Sequence, residues 1–131
     1  MGHATEYYEL IRDDRQEWAS WFPMCWNCRW LYGTIDRENL RISIETHEMI
    51  PRSKAPRSWG IRANYCRLCN TCHANVVTLS LAHQLALKKH LDPKHYDLVA
   101  IRELLDNGLS PIIIEEQQVN DELMALKEKW E

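Results

Sequence analysis

Two pairs of closely spaced cysteines constrain the fold of this chain more than any other feature. Cys25 and Cys28 form one Cys-x-x-Cys pair, and Cys69 and Cys72 form a second. Each such turn can point two sulfur atoms at one ion, and structural zinc takes four ligands in a tetrahedron. In a reducing compartment this spacing favours metal binding over disulfides, so we predict a structural zinc site. Free buried cysteines and a thioredoxin-like redox pair are the alternatives.

The fifth cysteine, Cys66, leaves the ligand set open. It lies three residues before Cys69 and could replace one ligand through a shift of register. We favour Cys69 and Cys72 because they directly precede His73, which belongs to the motif described below. Cys66 is then expected to be a small buried residue.

The length of 131 residues suits a single domain that a metal staple would help to stabilise. We divide it into an N-terminal helix at 1–22, a zinc-stabilised core at 23–78 and a helical extension at 79–131. No apolar run approaches membrane-spanning length, and the first residues do not have the pattern of a signal peptide. We therefore expect a cytoplasmic protein without a membrane partner.

Hydrophobic spacing predicts a largely helical chain with strand structure between the cysteine pairs, and hence an α+β fold. Residues 40–46 alternate apolar and polar side chains, which is the period of a half-buried strand. Before the first cysteine pair, a set of apolar residues falls roughly on one helical face. These residues are Leu10, Ile11, Trp18 and Trp21. Helices are expected over Tyr7–Phe22, over Val76–Leu91, from Asp92-Pro93 to about Asp106, and from Ser110-Pro111 to near Trp130.

A motif rich in polar and basic residues surrounds the second cysteine pair. His47-Glu48 comes shortly before a Pro-Arg-Ser sequence at 51–53, Asn64 comes before the second pair, and His73 follows it directly. This order resembles the HNH (His-Me finger) nucleases of phage or mobile-element type, which have a ββα-metal fold. The resemblance covers about residues 25–74. It implies a metal-dependent endonuclease that hydrolyses phosphodiester bonds in DNA, by nicking or by double-strand cleavage.

The resemblance also implies roles for the matching residues. His73 corresponds to the metal ligand on the helix, and Asn64 to the asparagine that braces the loop. The family order places His47 at a ligand position and Glu48 at the position of the base. Chemistry favours the exchange, because imidazole is the better base near neutral pH and carboxylate the better ligand for Mg²⁺ or Mn²⁺. His47, Glu48 and His73 are thus expected to meet at one catalytic divalent cation, and Val77 stands where many members carry a further ligand.

A basic loop separates the two halves of the motif. No acidic residue occurs from Arg52 to Arg67, although the whole chain carries a net charge of −3. A local basic surface can bind phosphate on an acidic protein, but a charge run is also the ordinary composition of a solvated face. Contacts with DNA phosphates are predicted for Arg52, Lys54, Arg57 and Arg62.

Two further hypotheses accompany the nuclease. The chain could be a zinc-ribbon module that binds DNA or a protein, with the catalytic site decayed. The helical extension could also mediate a homodimer or docking onto a phage packaging partner, although packing on its own core is the more common fate of such a helix. The remaining histidines at 83, 90 and 95 are expected to be ordinary helix residues.

Overall fold

The computed structural model describes residues 2–28, 43–51, 60–106 and 114–128, and its fold is the expected mixture of helix and strand. Helix α1 covers Gly2–Ser20, and a two-stranded sheet follows, formed by β1 and β2. The elements after α1 are β1 at Ile44–Glu48, β2 at Tyr65–Cys69, α2 at Asn70–Ala74, α3 at Leu81–Leu91, α4 at Leu98–Asp106 and α5 at Glu116–Glu128.

Strands β1 and β2 form an antiparallel hairpin whose register places His47 opposite Cys66 and Thr46 opposite Arg67. Because successive side chains of a strand point to opposite faces, residues 45 and 47 share one face and residues 46 and 48 share the other. We call the face of Glu45 and His47 the histidine face. The face of Thr46, Glu48 and Arg67 is the arginine face.

Helix α1 covers the arginine face of the hairpin. Ile11 is 8% exposed and Trp18 is fully buried, whereas Leu10 and Trp21 are 68% and 50% exposed. The apolar stripe of this helix is therefore narrower than the sequence suggested. The helix ends at Ser20, and the backbone N–H groups of residues 21 and 22 bond back to the carbonyls of residues 18 and 19.

The region between the second cysteine pair and α3 is less regular than expected. The predicted helix over Val76–Leu91 is interrupted, because Val76–Thr78 is a short 3-10 turn and α3 starts only at Leu81. Ser80 is the N-cap of α3, and its hydroxyl oxygen accepts a hydrogen bond from the backbone N–H of His83. A side-chain acceptor of this kind satisfies one of the free N–H groups at a helix start.

The prediction that Asp92-Pro93 starts a helix is wrong. Residues 93–95 form a turn, α4 begins at Leu98, and the side chain of Asp97 accepts the backbone N–H of Ala100. Asp92 is instead buried, where it accepts hydrogen bonds from the Trp18 indole at 2.9 Å and the Lys88 ammonium at 2.8 Å. Both of these donors bind Oδ2, and His95 Nδ1 lies 2.9 Å from Oδ1, so side chains hold both oxygens of the carboxylate.

One hydrophobic core joins all three segments predicted from the sequence. Its largest buried side chains include Trp18 from α1, Trp26 beside the first cysteine pair and Tyr65 from β2. The ammonium of Lys88 enters this core, lies 4.6 Å from the Trp18 ring centre and donates to the backbone carbonyls of Arg62 and Tyr65. A buried ammonium needs such partners, since an unpaired charge inside a protein is costly.

The predicted start of the strand, at 40–42, lies outside the described residues, and so do 107–113 and the chain after Glu128. Within the described ranges, none of the helices combines the length and the apolar character that crossing a membrane requires.

Candidate metal centre and histidine site

Four cysteines from two distant parts of the chain meet at one point. The sulfurs of Cys25, Cys28, Cys69 and Cys72 all lie within 4.8 Å of one another. The Cys28 sulfur is 3.8 Å from that of Cys69 and 3.6 Å from that of Cys72. A tetrahedral zinc with bonds of about 2.3 Å holds its sulfurs about 3.8 Å apart. The cluster can therefore hold a metal such as zinc, as its spacing predicted.

The two cysteine turns have matching local geometry. The backbone N–H of Cys28 donates to the sulfur of Cys25, and that of Cys72 donates to the sulfur of Cys69, each at 3.4 Å. Cys69 ends β2 and caps α2, so the strand-to-helix junction itself positions the second pair. Such N–H donors stabilise thiolate over thiol, which is the form that binds metal.

The pKa values of the four thiols differ with their surroundings. Burial raises the pKa of Cys25 to about 11 and raises the pKa of Cys28 as well. Burial also acts to raise the pKa of Cys69, but hydrogen bonds from Cys72 outweigh it and lower that pKa below its usual value. A bound cation would stabilise all four thiolates together, because metal binding displaces the thiol protons.

Cys66 does not belong to the cluster. It is fully buried on β2, and burial raises the pKa of its thiol. The expectation that it is a small buried residue is confirmed. The alternative register, in which Cys66 replaces a ligand, is not the one that the cluster uses.

The imidazole rings of His47 and His73 are in edge-on contact. Their ring centres lie 5.0 Å apart with an interplanar angle of 60°. His47 comes from β1, and His73 comes from α2, directly after the second cysteine pair. Burial, together with the nearby His73, lowers the pKa of His47 below its ordinary value. The two histidines that the sequence selected are therefore neighbours.

Gln84 of α3 fixes the orientation of His47. Its side-chain amide nitrogen donates to the carbonyl of Leu79 at 3.1 Å, so its oxygen is the atom that faces His47 Nε2 at 3.0 Å. That oxygen can only accept, so Nε2 carries the proton and Nδ1 carries the lone pair. Gln84 was not selected from the sequence, because nothing local marks a helical glutamine as the partner of a distant strand residue.

Glu45 performs a similar task for His73. Its carboxylate accepts a hydrogen bond from His73 Nδ1 across the histidine face. With the proton held on Nδ1, Nε2 of His73 carries the lone pair and is the atom able to bind a cation. Sequence reasoning missed Glu45, although one signal was present: it lies two residues before His47 and thus on the same face of the strand.

Glu48 lies away from this histidine pair. It points to the arginine face, where its carboxylate accepts a hydrogen bond from Arg15 of α1 at 3.0 Å. The structure therefore brings together two of the three side chains expected to share a cation and directs the third elsewhere. Among the residues that the structure describes, only the four cysteines gather three or more metal-binding side chains at one point.

Asn64 braces the turn between the two strands. Its side-chain oxygen accepts the backbone N–H of Ile50 at 2.8 Å, and its amide nitrogen donates to the carbonyl of Ile50 at 2.9 Å. The residue is fully buried, and its own backbone carbonyl accepts the N–H of Met49. This contact ties the segment after β1 to the segment before β2, which is the position that the motif assigns to it.

Of the four residues predicted to contact phosphate, the structure describes Arg62. Arg52, Lys54 and Arg57 lie outside the described residues. Arg62 is described, and its guanidinium forms a pair with Asp14 of α1 at 2.5 Å and a weaker one with Glu17 at 3.4 Å. Asp14 thus already occupies the Nε–Nη2 edge of Arg62, one of the edges that could bind a phosphate.

A series of polar side-chain contacts connects the cysteine cluster to helix α5. The amide nitrogen of Asn27 donates to the sulfur of Cys72 at 3.5 Å, and the amide oxygen lies 2.9 Å from His83 Nε2. The other ring nitrogen of His83 lies 3.8 Å from the carboxylate of Glu122 on α5. His83 is therefore not an ordinary helix residue, and His95 is not helical at all, since it lies in the turn after α3 and contacts Asp92.

Comparisons of the chain with family models, with curated proteins and with solved structures gave no significant match.

Proposed function

We propose that this chain is a metal-dependent HNH-type endonuclease of ββα-metal architecture that hydrolyses phosphodiester bonds in DNA, with a structural zinc ion on the four cysteines. The observation that carries the proposal is the pair of contacting imidazoles with complementary proton positions. His47 has its lone pair on Nδ1 because Gln84 binds its Nε2, and His73 has its lone pair on Nε2 because Glu45 binds its Nδ1. One ring is thus prepared as a base and the other as a ligand.

The zinc cluster supports the proposal through its position. Cys69 ends β2 and caps α2, the short helix that carries both Cys72 and His73. Zinc bound there would fix the angle between strand and helix, and with it the distance between the two imidazoles. A metal site can stabilise a small domain in this way, since its binding free energy becomes folding free energy.

The chain's own residues would perform the hydrolysis as follows. His47 Nδ1 removes a proton from a water molecule whose oxygen attacks phosphorus, and the bond between phosphorus and the leaving oxygen breaks. The leaving oxygen takes a proton from solvent. Asn64 keeps the loop that follows β1 in place, and Glu45 holds the ring of His73.

A divalent cation such as Mg²⁺ or Mn²⁺, with His73 as a ligand, would neutralise the charge that develops on the phosphate and on the leaving oxygen. Glu48 is not part of this proposal, since Arg15 holds it on the opposite face. Phosphate contacts by Arg52, Lys54 and Arg57 remain a prediction from the sequence, and the pairing of Arg62 with Asp14 reduces its part in them.

A plasmid-nicking assay tests the proposal directly. The zinc-loaded protein is incubated with supercoiled plasmid and Mg²⁺ or Mn²⁺, and the His47→Ala variant is compared with wild type. Loss of a general base is expected to lower the nicking rate by about 10²- to 10⁴-fold.

The matched control is His90→Ala, because His90 is an exposed histidine on α3. It should nick at the wild-type rate, and circular dichroism should show that all three proteins are folded. Equal nicking by His47→Ala and wild type would contradict the proposed role of His47.

One observation favours a second function, a zinc-ribbon module that binds DNA or a protein without cleaving it. Among the described residues, no group of three metal-binding side chains includes His73, so His73 would be the one described protein ligand of the proposed catalytic cation. If the folded, zinc-loaded wild type cleaves no DNA with any divalent cation but still binds DNA, the binding module replaces the nuclease.

A further inference from the structure

A cleft lies between α1 and the arginine face of the hairpin, on the side opposite the two histidines. Its volume is about 360 Å³. Three guanidinium groups line it, those of Arg12 and Arg15 from α1 and that of Arg67 from β2. Tyr8 and Ile11 supply apolar surface beside them. A concave site that combines convergent charges with apolar walls has the composition of a small-molecule site.

The charges in this cleft are not balanced. Arg15 is paired with Glu48 at 3.0 Å. Among the described residues, the ion-pair partner of Arg12 is Asp13 at 3.6 Å, and both of those side chains are more than half exposed. The Arg67 guanidinium binds a backbone carbonyl and a hydroxyl, and none of the ion pairs between described residues includes it. Exposed pairs such as Arg12 with Asp13 are weak, so the cleft keeps a positive potential.

Of the three arginines of the cleft, Arg67 is the one whose described hydrogen-bond acceptors are all uncharged. It is half-buried, and its Nε donates to the carbonyl of Phe22 at 2.9 Å while Nη1 donates to the hydroxyl of Thr46 at 3.0 Å. Burial and the neighbouring Arg15 both lower the pKa of Arg67. Two hydrogen bonds therefore fix the position of the Arg67 guanidinium, although the neighbouring Arg15 carries a charge of the same sign.

The geometry points to a binding site for a phosphate monoester of a small organic molecule, such as a nucleoside monophosphate. The phosphate would bind the guanidinium groups of Arg12 and Arg67, and the attached group would pack against Tyr8 and Ile11. Guanidinium is the side chain best suited to phosphate, because its planar N–H groups match two phosphate oxygens. A cleft of this volume accommodates a ligand larger than a bare phosphate.

This inference does not rest on the nuclease proposal. His47 and His73 lie on the histidine face, and the strands of the hairpin separate them from the cleft. A protein without nuclease activity could bind the same ligand, and a nuclease could lack the site.

Isothermal titration calorimetry on the full zinc-loaded chain, without added Mg²⁺, tests the site. The probes are adenosine monophosphate, adenosine and inorganic phosphate. We expect adenosine monophosphate to bind at least about tenfold more tightly than adenosine, because the phosphate supplies the charge-assisted hydrogen bonds. Inorganic phosphate should also bind more weakly than the monophosphate, because it makes no contact with the apolar wall.

Two variants locate the binding in the cleft. Arg12→Gln changes an exposed side chain and should fold normally, and Arg67→Gln removes the half-buried cation. Each is expected to weaken binding of adenosine monophosphate by about tenfold or more. Lys127→Gln on α5 removes the same charge elsewhere and should leave binding unchanged, and so should His73→Ala. Should Arg67→Gln fail to fold, Arg12→Gln alone decides.

Three outcomes would overturn the inference. The first is no detectable binding of adenosine monophosphate at millimolar concentration. The second is equal binding by Arg12→Gln, Arg67→Gln and Lys127→Gln. The third is binding that only His73→Ala abolishes, which would place the ligand at the histidines. Duplex DNA that loses affinity in Arg12→Gln, when the monophosphate does not bind, would identify a DNA contact in place of a small-ligand site.

Discussion

The two faces of the hairpin carry different chemistry on the same pair of strands. On the histidine face, Glu45 and His47 contact residues of α2 and α3, and each imidazole is bound at one nitrogen. On the arginine face, Thr46 and Glu48 contact the guanidinium groups of Arg67 and Arg15. One face brings two imidazoles together, and the other carries guanidinium groups that hydrogen bonds hold in place.

This difference shows how strand geometry sorts residues that are adjacent in sequence. His47 and Glu48 look like a catalytic pair when read along the chain, but the period of two sends them to opposite faces. Glu45, two residues from His47, reaches the site that Glu48 cannot. Each of the following variants tests whether the two faces act independently.

The largest effect is expected from the cysteine cluster, because it holds the end of the hairpin on which both faces depend. Cys28→Ala should remove zinc and abolish cooperative unfolding, since structural zinc contributes about 10–16 kcal/mol of apparent binding free energy in small zinc domains. Cys66→Ala, outside the cluster, should keep one zinc ion per chain. Metal analysis with thermal unfolding measures both, and a Cys28→Ala protein that unfolds like wild type would contradict the structural role of the metal.

The next largest effect is expected at Asp92, which joins Trp18 of α1 to Lys88 of α3 and so links the helices that cover the two faces. Asp92→Asn leaves the buried ammonium of Lys88 without its carboxylate. Breaking a buried pair in this way costs about 3–5 kcal/mol of unfolding free energy. Urea denaturation measures the loss, and Asp13→Asn, at an exposed aspartate, is the control expected to show almost none.

The same pair predicts how stability changes with pH. Burial acts to raise the pKa of Asp92, but hydrogen bonds from Lys88 and Trp18 outweigh it and bring that pKa below its ordinary value of 3.8. Its contribution to stability is therefore fully present above pH 3.8 and is lost as the pH falls through the lowered value. The stability gap between wild type and Asp92→Asn should narrow in strong acid, and a constant gap down to pH 2 would refute the assignment.

A smaller effect, confined to the histidine face, is expected from Glu45→Gln. Removing the carboxylate behind a metal-binding imidazole lowers metal affinity or activity by about 10- to 100-fold. The nicking rate as a function of Mn²⁺ concentration measures this loss. The fold should survive, because the carboxylate of Glu45 is nearly half exposed. Unchanged nicking would mean that Glu45 does not position His73.

The smallest effect on nicking is expected from Glu48→Gln, the matching change on the arginine face. It breaks the ion pair with Arg15 and should cost about 1 kcal/mol of stability, but the nicking rate should stay near that of wild type. Thermal unfolding and the plasmid assay measure the two quantities. A loss of nicking as large as that of Glu45→Gln, in a protein of normal stability, would restore Glu48 to the site and break the distinction between the faces.

Local patterns predicted much of this arrangement. The spacing of the cysteines predicted a four-cysteine cluster, and the motif around His73 favoured Cys69 and Cys72 over Cys66. The order of the motif selected His47, His73 and Asn64, and the structure brings the two imidazoles together beside the loop that Asn64 braces. The cysteine turns were accessible because neighbouring residues set a Cys-x-x-Cys turn, whereas the two histidines and Asn64 were selected through the resemblance to HNH nucleases.

The missing parts depend on contacts between distant segments. Nothing near Gln84 or Arg15 in the sequence shows that each binds a residue of β1, since both partnerships need α1 and α3 to pack on opposite sides of the hairpin. The helix start predicted at Asp92 was wrong for the same reason, because a contact between distant segments decides the role of this residue. An aspartate before a proline has the local pattern of a helix start, but two tertiary donors, Trp18 and Lys88, claimed its carboxylate.

A series of polar contacts runs from Cys72 through Asn27 and His83 to Glu122, and it links helix α5 to the cysteine cluster. Shortening the protein before α5 would remove the carboxylate at the far end and loosen the amide that donates to the sulfur. The ion would then leave faster on dilution into a competing ligand, even where the equilibrium fold is preserved. The retention of a metal on the four cysteines would therefore depend in part on α5, some ninety residues from the first cysteine pair.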